Sequence, residues 1–150
     1  MGLLEGKVAI VTGAGGGLGR AHALLLAEHG ACVVVNDLGG ARDGTGSSNS
    51  MADSVVEEIR NAGGQAAATY GSVTEDDAAK AMVQCAVDNF GRLDILINNA
   101  GILRDRSFKN MTDAEWDAVI EVHLRGAYLV TKHSWQQMLT QGDGGRIIMT

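Results

Sequence analysis

Residues 7–19 read Lys-Val-Ala-Ile-Val-Thr-Gly-Ala-Gly-Gly-Gly-Leu-Gly, a short apolar run that leads directly into a glycine-rich turn. The run Val8–Val11 predicts a buried strand, and the apolar spacing from Leu18 to His29 predicts a helix that ends before Gly30. A strand, a glycine-rich turn and a helix in this order place backbone amides and the positive end of a helix where a phosphate group can approach. Glycine suits such a turn because it puts no Cβ in the path of the ligand. A glycine-rich turn without a ligand is the alternative.

Apolar runs alternate with stretches of helical period along the rest of the chain. The further predicted strands are Cys32–Asn36, Ala66–Thr69, Leu93–Asn98 and Arg146–Thr150. The further predicted helices are Met51–Asn61, one that opens at Thr74-x-x-Asp77 and ends at Gly91, and one that opens at Thr112-x-x-Glu115 and runs to about Gln141. Both threonine motifs resemble capping boxes. The alternation predicts an α/β fold, a Rossmann-like doubly wound parallel sheet of spatial order 3-2-1-4-5, truncated within the fifth strand. We expect residues 1–150 to form one domain that is incomplete at its C-terminus.

Composition narrows the classes of function. The chain has 150 residues, 12 Lys and Arg, 18 Asp and Glu and a formal net charge of −6, which argues against a dedicated nucleic-acid surface. No apolar run approaches the length of a membrane span, and the N-terminus lacks a signal-peptide pattern. Cys32 and Cys85 stand in apolar stretches without Cys-x-x-Cys spacing, so we predict reduced thiols and no metal site.

Asp37 stands at the end of the second predicted strand, 18 residues after Gly19. A carboxylate at this position can accept hydrogen bonds from both hydroxyls of an adenosine ribose and would repel the 2′-phosphate of NADP. The sequence therefore favours NAD, although Arg42 in the following polar loop leaves NADP open. The alternative for Asp37 is a turn former ahead of Gly39-Gly40.

Two motifs together resemble a known family. Thr12-Gly13-x-x-x-Gly17-x-Gly19 and Asn98-Asn99-Ala100-Gly101 are similar to the motifs of the classical short-chain dehydrogenases/reductases, and the resemblance covers all 150 residues. Four further segments resemble the (3R)-hydroxyacyl-CoA dehydrogenase domains of peroxisomal multifunctional enzymes of type 2 and their bacterial relatives: Val35–Gly40, Gly101–Phe108, Val122–Gly126 and Gly145–Thr150. The resemblance implies an enzyme that oxidises (3R)-3-hydroxyacyl-CoA to 3-oxoacyl-CoA with NAD.

The resemblance also implies roles for individual residues. The expected cofactor contacts are the pyrophosphate at Gly13, Gly17, Leu18 and Gly19, the adenosine ribose at Asp37, adenine at Ser72 and Val73, and the nicotinamide ribose near Asn99. His123 falls where the family carries the Asn of its catalytic tetrad, and it is the candidate catalytic residue. A buried, hydrogen-bonded core histidine is the alternative for His123.

The family's substrate-positioning Ser and its Tyr-x-x-x-Lys pair follow the fifth strand, and residues 1–150 contain neither in that place. We therefore expect the 150 residues alone to bind NAD without turnover, because the tyrosine and lysine carry the proton transfer. Tyr128-x-x-x-Lys132 matches the letters of that motif but precedes the fifth strand, and we predict a packing role for Tyr128. Arg104 and Arg106 either meet the phosphates of a CoA substrate or are solvated loop charges.

Three other functions stay open at the level of sequence: a non-catalytic NAD-binding or interaction module, a 3-oxoacyl-carrier-protein reductase, and a steroid dehydrogenase. The long helix after Thr112 has little polar face between Trp116 and Met138, which predicts burial on two sides, by the sheet and by a partner. We expect a homo-oligomer through this helix and a small acyl-CoA substrate, with no nucleic-acid or membrane partner. The expected location is cytoplasmic, or peroxisomal in a eukaryote.

Overall fold

A computed structural model describes residues 2–150. The strands are Val8–Thr12 (β1), Cys32–Asn36 (β2), Ala66–Thr69 (β3), Ile95–Asn98 (β4) and Arg146–Met149 (β5). The α-helices are Gly17–Glu28 (α1), Ser50–Asn61 (α2), Asp76–Phe90 (α3), Asp113–Ile120 (α4) and Ala127–Gln141 (α5). A 3-10 turn at Phe108–Asn110 precedes α4, and a π-helical turn at Glu121–Gly126 joins α4 to α5.

The five strands form one parallel sheet in the order β3-β2-β1-β4-β5, which confirms the predicted α/β class and strand order. Val11 at the centre of the sheet lies beside Val35 of β2 and Ile97 of β4. The chain moves outward to β3 on one side of β1 and then returns to the other side of β1 for β4. In such sheets the ligand crevice lies at the carboxyl ends of the strands where the order reverses, which here is between β1 and β4.

Both faces of the sheet are covered, and this explains why the central strands are apolar throughout. One core cluster joins the sheet to α1 and α2 through residues such as Val11, Val35 and Ile59. The other joins it to α3 and α5 through residues such as Ile10 and Met82. Strands covered on two faces read as continuous apolar runs instead of alternating ones, so β1 is buried at all five positions.

The two predicted capping boxes had different outcomes. At Thr112 the box is present, because the Thr112 hydroxyl accepts from the Glu115 amide at 3.2 Å and the Glu115 carboxylate accepts from the Thr112 amide at 3.0 Å. At Thr74 the prediction is wrong. The Thr74 hydroxyl is hydrogen-bonded to the Ser72 hydroxyl at 2.8 Å, and the helix begins later, at Asp76, without a side-chain cap.

The segment Asp113–Gln141 is one continuous helical path of α4, the π turn and α5. Leu129, Val130 and Met138 are buried against the sheet and α3. The opposite side carries apolar side chains that are more than half exposed, namely Trp116, Leu124, Tyr128, Trp135 and Leu139. We call these five residues the apolar stripe. The sequence predicts that both sides of this helical path are buried, and within residues 2–150 only the side that faces the sheet is covered.

None of the helices within residues 2–150 combines the length and apolar character that a bilayer crossing needs.

Candidate functional site

A cleft of about 590 Å³ lies at the carboxyl ends of β1, β2 and β4. Its walls come from the glycine-rich turn (residues 13–19), the β2–α2 loop (residues 37–49), residues 71–74 and the loop after β4 (residues 99–112). Six of the eight residues predicted to bind the cofactor line this cleft: Gly13, Gly17, Asp37, Ser72, Val73 and Asn99. The other two do not. The Leu18 side chain is 72% exposed, and Gly19 lies behind the turn against Gly13 and Asn99.

The glycine-rich turn has room for an anionic group on its cleft side. Gly17 starts α1 with φ of +53°, and a Cβ at Gly17 would meet no atom within 4 Å. The helix has no side-chain cap at Gly16, so the first amides of α1 have no partner within the helix. A Cβ at Gly19, in contrast, would overlap the Gly13 carbonyl oxygen and the Asn99 side-chain nitrogen. The turn is therefore packed closely on the inside and open to a phosphate on the outside.

Asp37 faces the glycine-rich turn from the end of β2. Its Oδ2 accepts a hydrogen bond from the Gly15 amide at 2.8 Å, and its Oδ1 accepts one from the Gly39 amide at 2.6 Å. The second bond is the turn-forming role that the sequence left as an alternative. Each carboxylate oxygen has capacity for a further donor, so these two bonds leave acceptors for hydroxyl groups of a ligand in the cleft.

Asn99 and Thr12 fasten the loop after β4 to the end of β1. The Asn99 side-chain amide donates to the carbonyls of Thr12, at 2.9 Å, and Gly13, at 3.1 Å. The Thr12 hydroxyl in turn accepts from the amides of Asn99 and Ala100, each at 3.0 Å. This role of the Thr12 hydroxyl was not predicted, although its place at the end of the strand, directly before the first glycine, was a usable signal. These bonds hold the cleft floor in one shape.

Ser72 and Val73 form the wall next to β3. The segment is positioned by Asn36, whose side-chain amide donates to the Gly71 carbonyl at 3.1 Å. Val73 is buried and packs against the π turn, since a Cβ at Gly126 would lie 2.6 Å from its Cγ2. Ser72 uses its hydroxyl within the segment, through Thr74. The Val73 side chain thus adds an apolar group to the cleft wall, and Ser72 offers mainly its backbone.

His123 lies on the π turn and contacts the loop after β4. Its ring packs on Gly101, where a Cβ would lie 2.6 Å from Cε1. Its Nε2 is 3.0 Å from the Ile102 nitrogen and 2.9 Å from the Ile102 oxygen, so one tautomer accepts from the amide and the other donates to the carbonyl. The alternative of a buried core histidine is wrong, because His123 is exposed. It lines a small cavity of about 60 Å³ beside the cleft, together with Thr12 and Asn98.

The Tyr128-x-x-x-Lys132 sequence lies on α5, away from the cleft. Tyr128 is 61% exposed on the apolar stripe. Lys132 Nζ donates to Asp76 Oδ1 at 2.8 Å, which ties α5 to the start of α3 and raises the pKa of Lys132. The lysine is therefore occupied by a carboxylate on a neighbouring helix.

The two arginines after β4 have different surroundings. Arg106 Nε pairs with Glu115 Oε1 at 2.8 Å, at the start of α4. Arg104 lines the cleft, and its Nε is buried without a hydrogen-bond partner among residues 2–150. The sequence gives both arginines the same two possible roles, whereas among the described residues only Arg106 is paired with a carboxylate.

Within the described part of the chain, residues 2–150, no three side chains of His, Cys, Asp or Glu come together as a metal site would require.

Comparisons with known proteins agree with this geometry. A family model described as short chain dehydrogenase matches residues 7–150. The chain is 55% identical over 146 residues to the mouse peroxisomal multifunctional enzyme type 2, covering 97% of this chain and 19% of that protein. It is 46% identical over 147 residues to the hydroxyacyl-CoA dehydrogenase ChsB1 of Mycobacterium tuberculosis, covering 96% and 45%. A solved structure of carveol dehydrogenase from Mycobacterium avium in complex with NAD superposes with a TM-score of 0.91 at 29% identity, covering 99% of this chain and 55% of that one. The chain thus spans less than half the length of both curated relatives.

Proposed function

The chain belongs to the short-chain dehydrogenase family, and we propose that it is the NAD-binding Rossmann domain of an enzyme that oxidises (3R)-3-hydroxyacyl-CoA to 3-oxoacyl-CoA. The observation that carries the proposal is the placement of Asp37 opposite an open glycine-rich turn in one cleft at the reversal of strand order. Bound NAD supplies the hydride acceptor for oxidation of a hydroxyl to a carbonyl. The substrate class is supported by the segments that resemble hydroxyacyl-CoA dehydrogenases and by the relative of that name.

The residues of the cleft fit a dinucleotide. The first amides of α1, at Gly17 to Gly19, would hold the pyrophosphate, with the Leu18 side chain directed away from it. Asp37 would accept from the adenosine ribose, and Val73 with the backbone at Ser72 would lie against adenine. The side-chain amide of Asn99 donates its hydrogens to the carbonyls of Thr12 and Gly13 and has none left for a ligand. It would therefore act near the second ribose by fixing the backbone there.

The preference for NAD over NADP follows from the charge of Asp37. A 2′-phosphate placed beside this carboxylate would bring two anions together at hydrogen-bonding distance. The neighbouring positions Gly16 and Leu38 offer no positive charge to offset that repulsion. Arg42 lines the same cleft on the β2–α2 loop, and for this reason NADP belongs in the assay as a comparison.

His123 is the residue of this chain that we assign to the reaction, at the position of the family's tetrad Asn. The two tautomers described above let the ring pass from accepting to donating at Ile102 without changing its place. A ring held in this way can hold a water or a proton beside the small cavity lined by Thr12 and Asn98. The resemblance places the proton-abstracting tyrosine, its lysine and the substrate-positioning serine after β5.

The apolar stripe supports the proposal of a homo-oligomer. Its members follow one side of a helical path about 29 residues long, Asp113–Gln141, and an isolated protein rarely leaves such a face in water. A second copy would bury the same stripe on both subunits. Trp135→Glu should convert the complete protein to monomers in sedimentation-velocity experiments, and an unchanged oligomer would contradict this assignment. By the names of the relatives, the proposed location is peroxisomal in a eukaryote and cytoplasmic otherwise.

The test uses the product of the complete open reading frame that contains residues 1–150. NADH formation is followed by absorbance with the (3R) and (3S) epimers of a 3-hydroxyacyl-CoA, each with NAD and with NADP. The proposal expects turnover with the (3R) epimer and NAD. NAD binding without turnover of any hydroxyacyl thioester would instead identify a non-catalytic NAD-binding module.

A further inference from the structure

Arg104 carries a buried donor that no group of the protein satisfies. Its Nε has no hydrogen-bond partner among residues 2–150, although the residue lines the 590 Å³ cleft. A guanidinium donor withdrawn from water without an acceptor is unfavourable by more than a neutral amide would be, because it is part of a charged group. Native structures rarely keep such a group unless an acceptor from elsewhere meets it.

The acidic groups around Arg104 do not supply that acceptor. Asp43 is close enough for the Arg104 charge to help lower the pKa of Asp43, but the larger causes are its hydrogen bonds from the hydroxyl and amide of Thr45. No carboxylate of residues 2–150 lies within ion-pairing distance of Arg104. Glu121 also lines the cleft, and it pairs with Arg125 at 3.3 Å.

Arg104 is held in place by a contact between two loops. The Leu103 amide donates to the Arg42 carbonyl at 2.8 Å, so the loop after β4 is joined to the β2–α2 loop. Gly44 of the second loop packs on Ile102, where a Cβ would lie 3.0 Å from Cγ2. The join brings Arg42 and Arg104 into the lining of one cleft in a chain whose net charge is −6. Two cations thus line the same cleft as the carboxylates of Asp37 and Glu121.

We propose that Arg104, assisted by Arg42, is a phosphate-binding residue of this cleft. The planar fork of an arginine matches two oxygens of a phosphate, and the unpaired Nε is one arm of that fork. The inference rests on the proposed function, since it supposes that the cleft receives ligands that carry phosphate. It also distinguishes Arg104 from Arg106, whose guanidinium is already paired with Glu115.

The phosphate can come from the CoA part of the substrate or from the dinucleotide. The structure favours CoA, because the pyrophosphate of the dinucleotide has the amides of α1 and Asp37 repels a phosphate on the adenosine ribose. Arg104 stands on the other loop, the one that follows β4. The experiment therefore measures the two sources separately.

The measurements use the complete protein as wild type, Arg104→Gln, Arg104→Lys and the control Arg106→Gln. NADH binding is titrated by fluorescence. Adenosine 3′,5′-bisphosphate, which carries the 3′-phosphate of CoA, is titrated by calorimetry with NADH saturating, so that it cannot occupy the dinucleotide site. The KM for a 3-hydroxyacyl-CoA is compared with that for the same acyl group on pantetheine, which has no phosphate. Circular dichroism checks that each variant is folded.

Arg104→Gln should weaken adenosine 3′,5′-bisphosphate binding and raise the KM of the CoA thioester about tenfold to a hundredfold, with the pantetheine thioester unchanged. Arg104→Lys should recover part of the loss, and Arg106→Gln should show none. A loss confined to NADH binding would assign the phosphate to the dinucleotide. Values for Arg104→Gln that match those of Arg106→Gln in every titration would overturn the proposal.

The outcomes also separate this inference from the proposed function. If adenosine 3′,5′-bisphosphate binds in an Arg104-dependent way but no hydroxyacyl thioester is oxidised, the phosphate site stands and the proposed reaction fails. If oxidation is normal and the bisphosphate does not bind, the reaction stands and the phosphate site fails.

Discussion

Asp37→Asn is the substitution that most directly tests how the cleft selects its cofactor. The replacement keeps the shape of the side chain and removes its charge. An asparagine has one acceptor oxygen, so it can serve the Gly15 amide or the Gly39 amide but must turn its own NH₂ towards the other. One of the two backbone bonds that hold Asp37 is therefore lost, and the acceptor offered to the ribose becomes neutral.

The expected loss of NAD affinity follows from replacing a charged acceptor for the ribose hydroxyls by a neutral one. A hydrogen bond to a charged group contributes about 1.5–3 kcal/mol, and Asp37 is half-buried, so the lower part of that range applies. Because about 1.4 kcal/mol corresponds to a factor of ten, the NAD dissociation constant should rise roughly tenfold to thirtyfold. NADP should not lose affinity in proportion, since removing the charge also removes the repulsion of its 2′-phosphate.

The assay is a fluorescence titration of the complete protein with NADH and NADPH. The control is Asp43→Asn, which makes the same change of charge in the same loop at a residue outside the cleft lining and should leave both dissociation constants within about twofold. Equal losses for NADH and NADPH with Asp37→Asn would refute the reasoning. Asp37 would then act only by holding the glycine-rich turn and the β2–α2 loop.

Three further predictions concern residues outside the cleft. Tyr128→Phe in the complete protein should leave kcat within about twofold, because Lys132 is paired with Asp76 of α3 and lies outside the cleft, and a thousandfold loss would assign Tyr128 to the chemistry. Asp94→Asn should lower the free energy of unfolding by about 1.5–3 kcal/mol in urea titrations, since it removes the charge of a buried carboxylate that accepts from the half-buried Arg92 side chain and from the Val8 amide. Burial alone would raise the pKa of Asp94, but the hydrogen bonds from Arg92 and Val8 lower this pKa overall. The stability that Asp94 contributes is therefore present at neutral pH and is lost as the pH falls through its folded-state pKa. An equally steep loss of stability in acid for the Asp94→Asn variant would contradict this prediction. Ser134→Ala should leave the melting temperature unchanged or raise it, because the fully buried Ser134 hydroxyl has no partner among residues 2–150, and a fall of several degrees would show an unrecognised bond.

The sheet was predictable because its information is local. Each strand is an apolar run between turn residues, and the parallel order follows once helices separate the strands. The differences fall at element ends, where one residue decides the boundary. The fourth strand was predicted from Leu93 but begins at Ile95, because Asp94 accepts from the Val8 amide and belongs to the edge network with Arg92.

Capping shows why the same letters can give different local structures. Thr112 and Thr74 each precede an acidic residue by three positions. Thr112 has no competing neighbour and caps α4, whereas the Thr74 hydroxyl meets the Ser72 hydroxyl and its amide donates to the same oxygen. A competing hydroxyl two residues away is a signal that the spacing rule does not include.

The sequence predicted which residues lie at the site better than it predicted the hydrogen bonds among them. Asp37 and the glycine-rich turn were expected to act on a ligand, and the structure shows that they also bind each other through Gly15. The π turn at His123 had no sequence signal, since no residue type demands the extra residue in that turn. A sequence-based prediction that lacks the π turn cannot place the ring of His123 on Gly101, because one extra residue in a helix changes the direction of the side chains that follow.

The Tyr128-x-x-x-Lys132 sequence shows why position in the fold outweighs a motif. One turn of helix puts the two side chains on the same face wherever the letters occur, so the spacing alone indicates only adjacency. On α5 that face meets Asp76 of α3 through Lys132 and solvent through Tyr128. A tyrosine acts as a base only when a cation lowers its pKa beside a substrate, and here the cation is bound to a carboxylate outside the cleft. Chemistry in this fold is located at the carboxyl edge of the sheet, whereas on α5 the same motif supplies one ion pair to α3, through Lys132, and an exposed tyrosine.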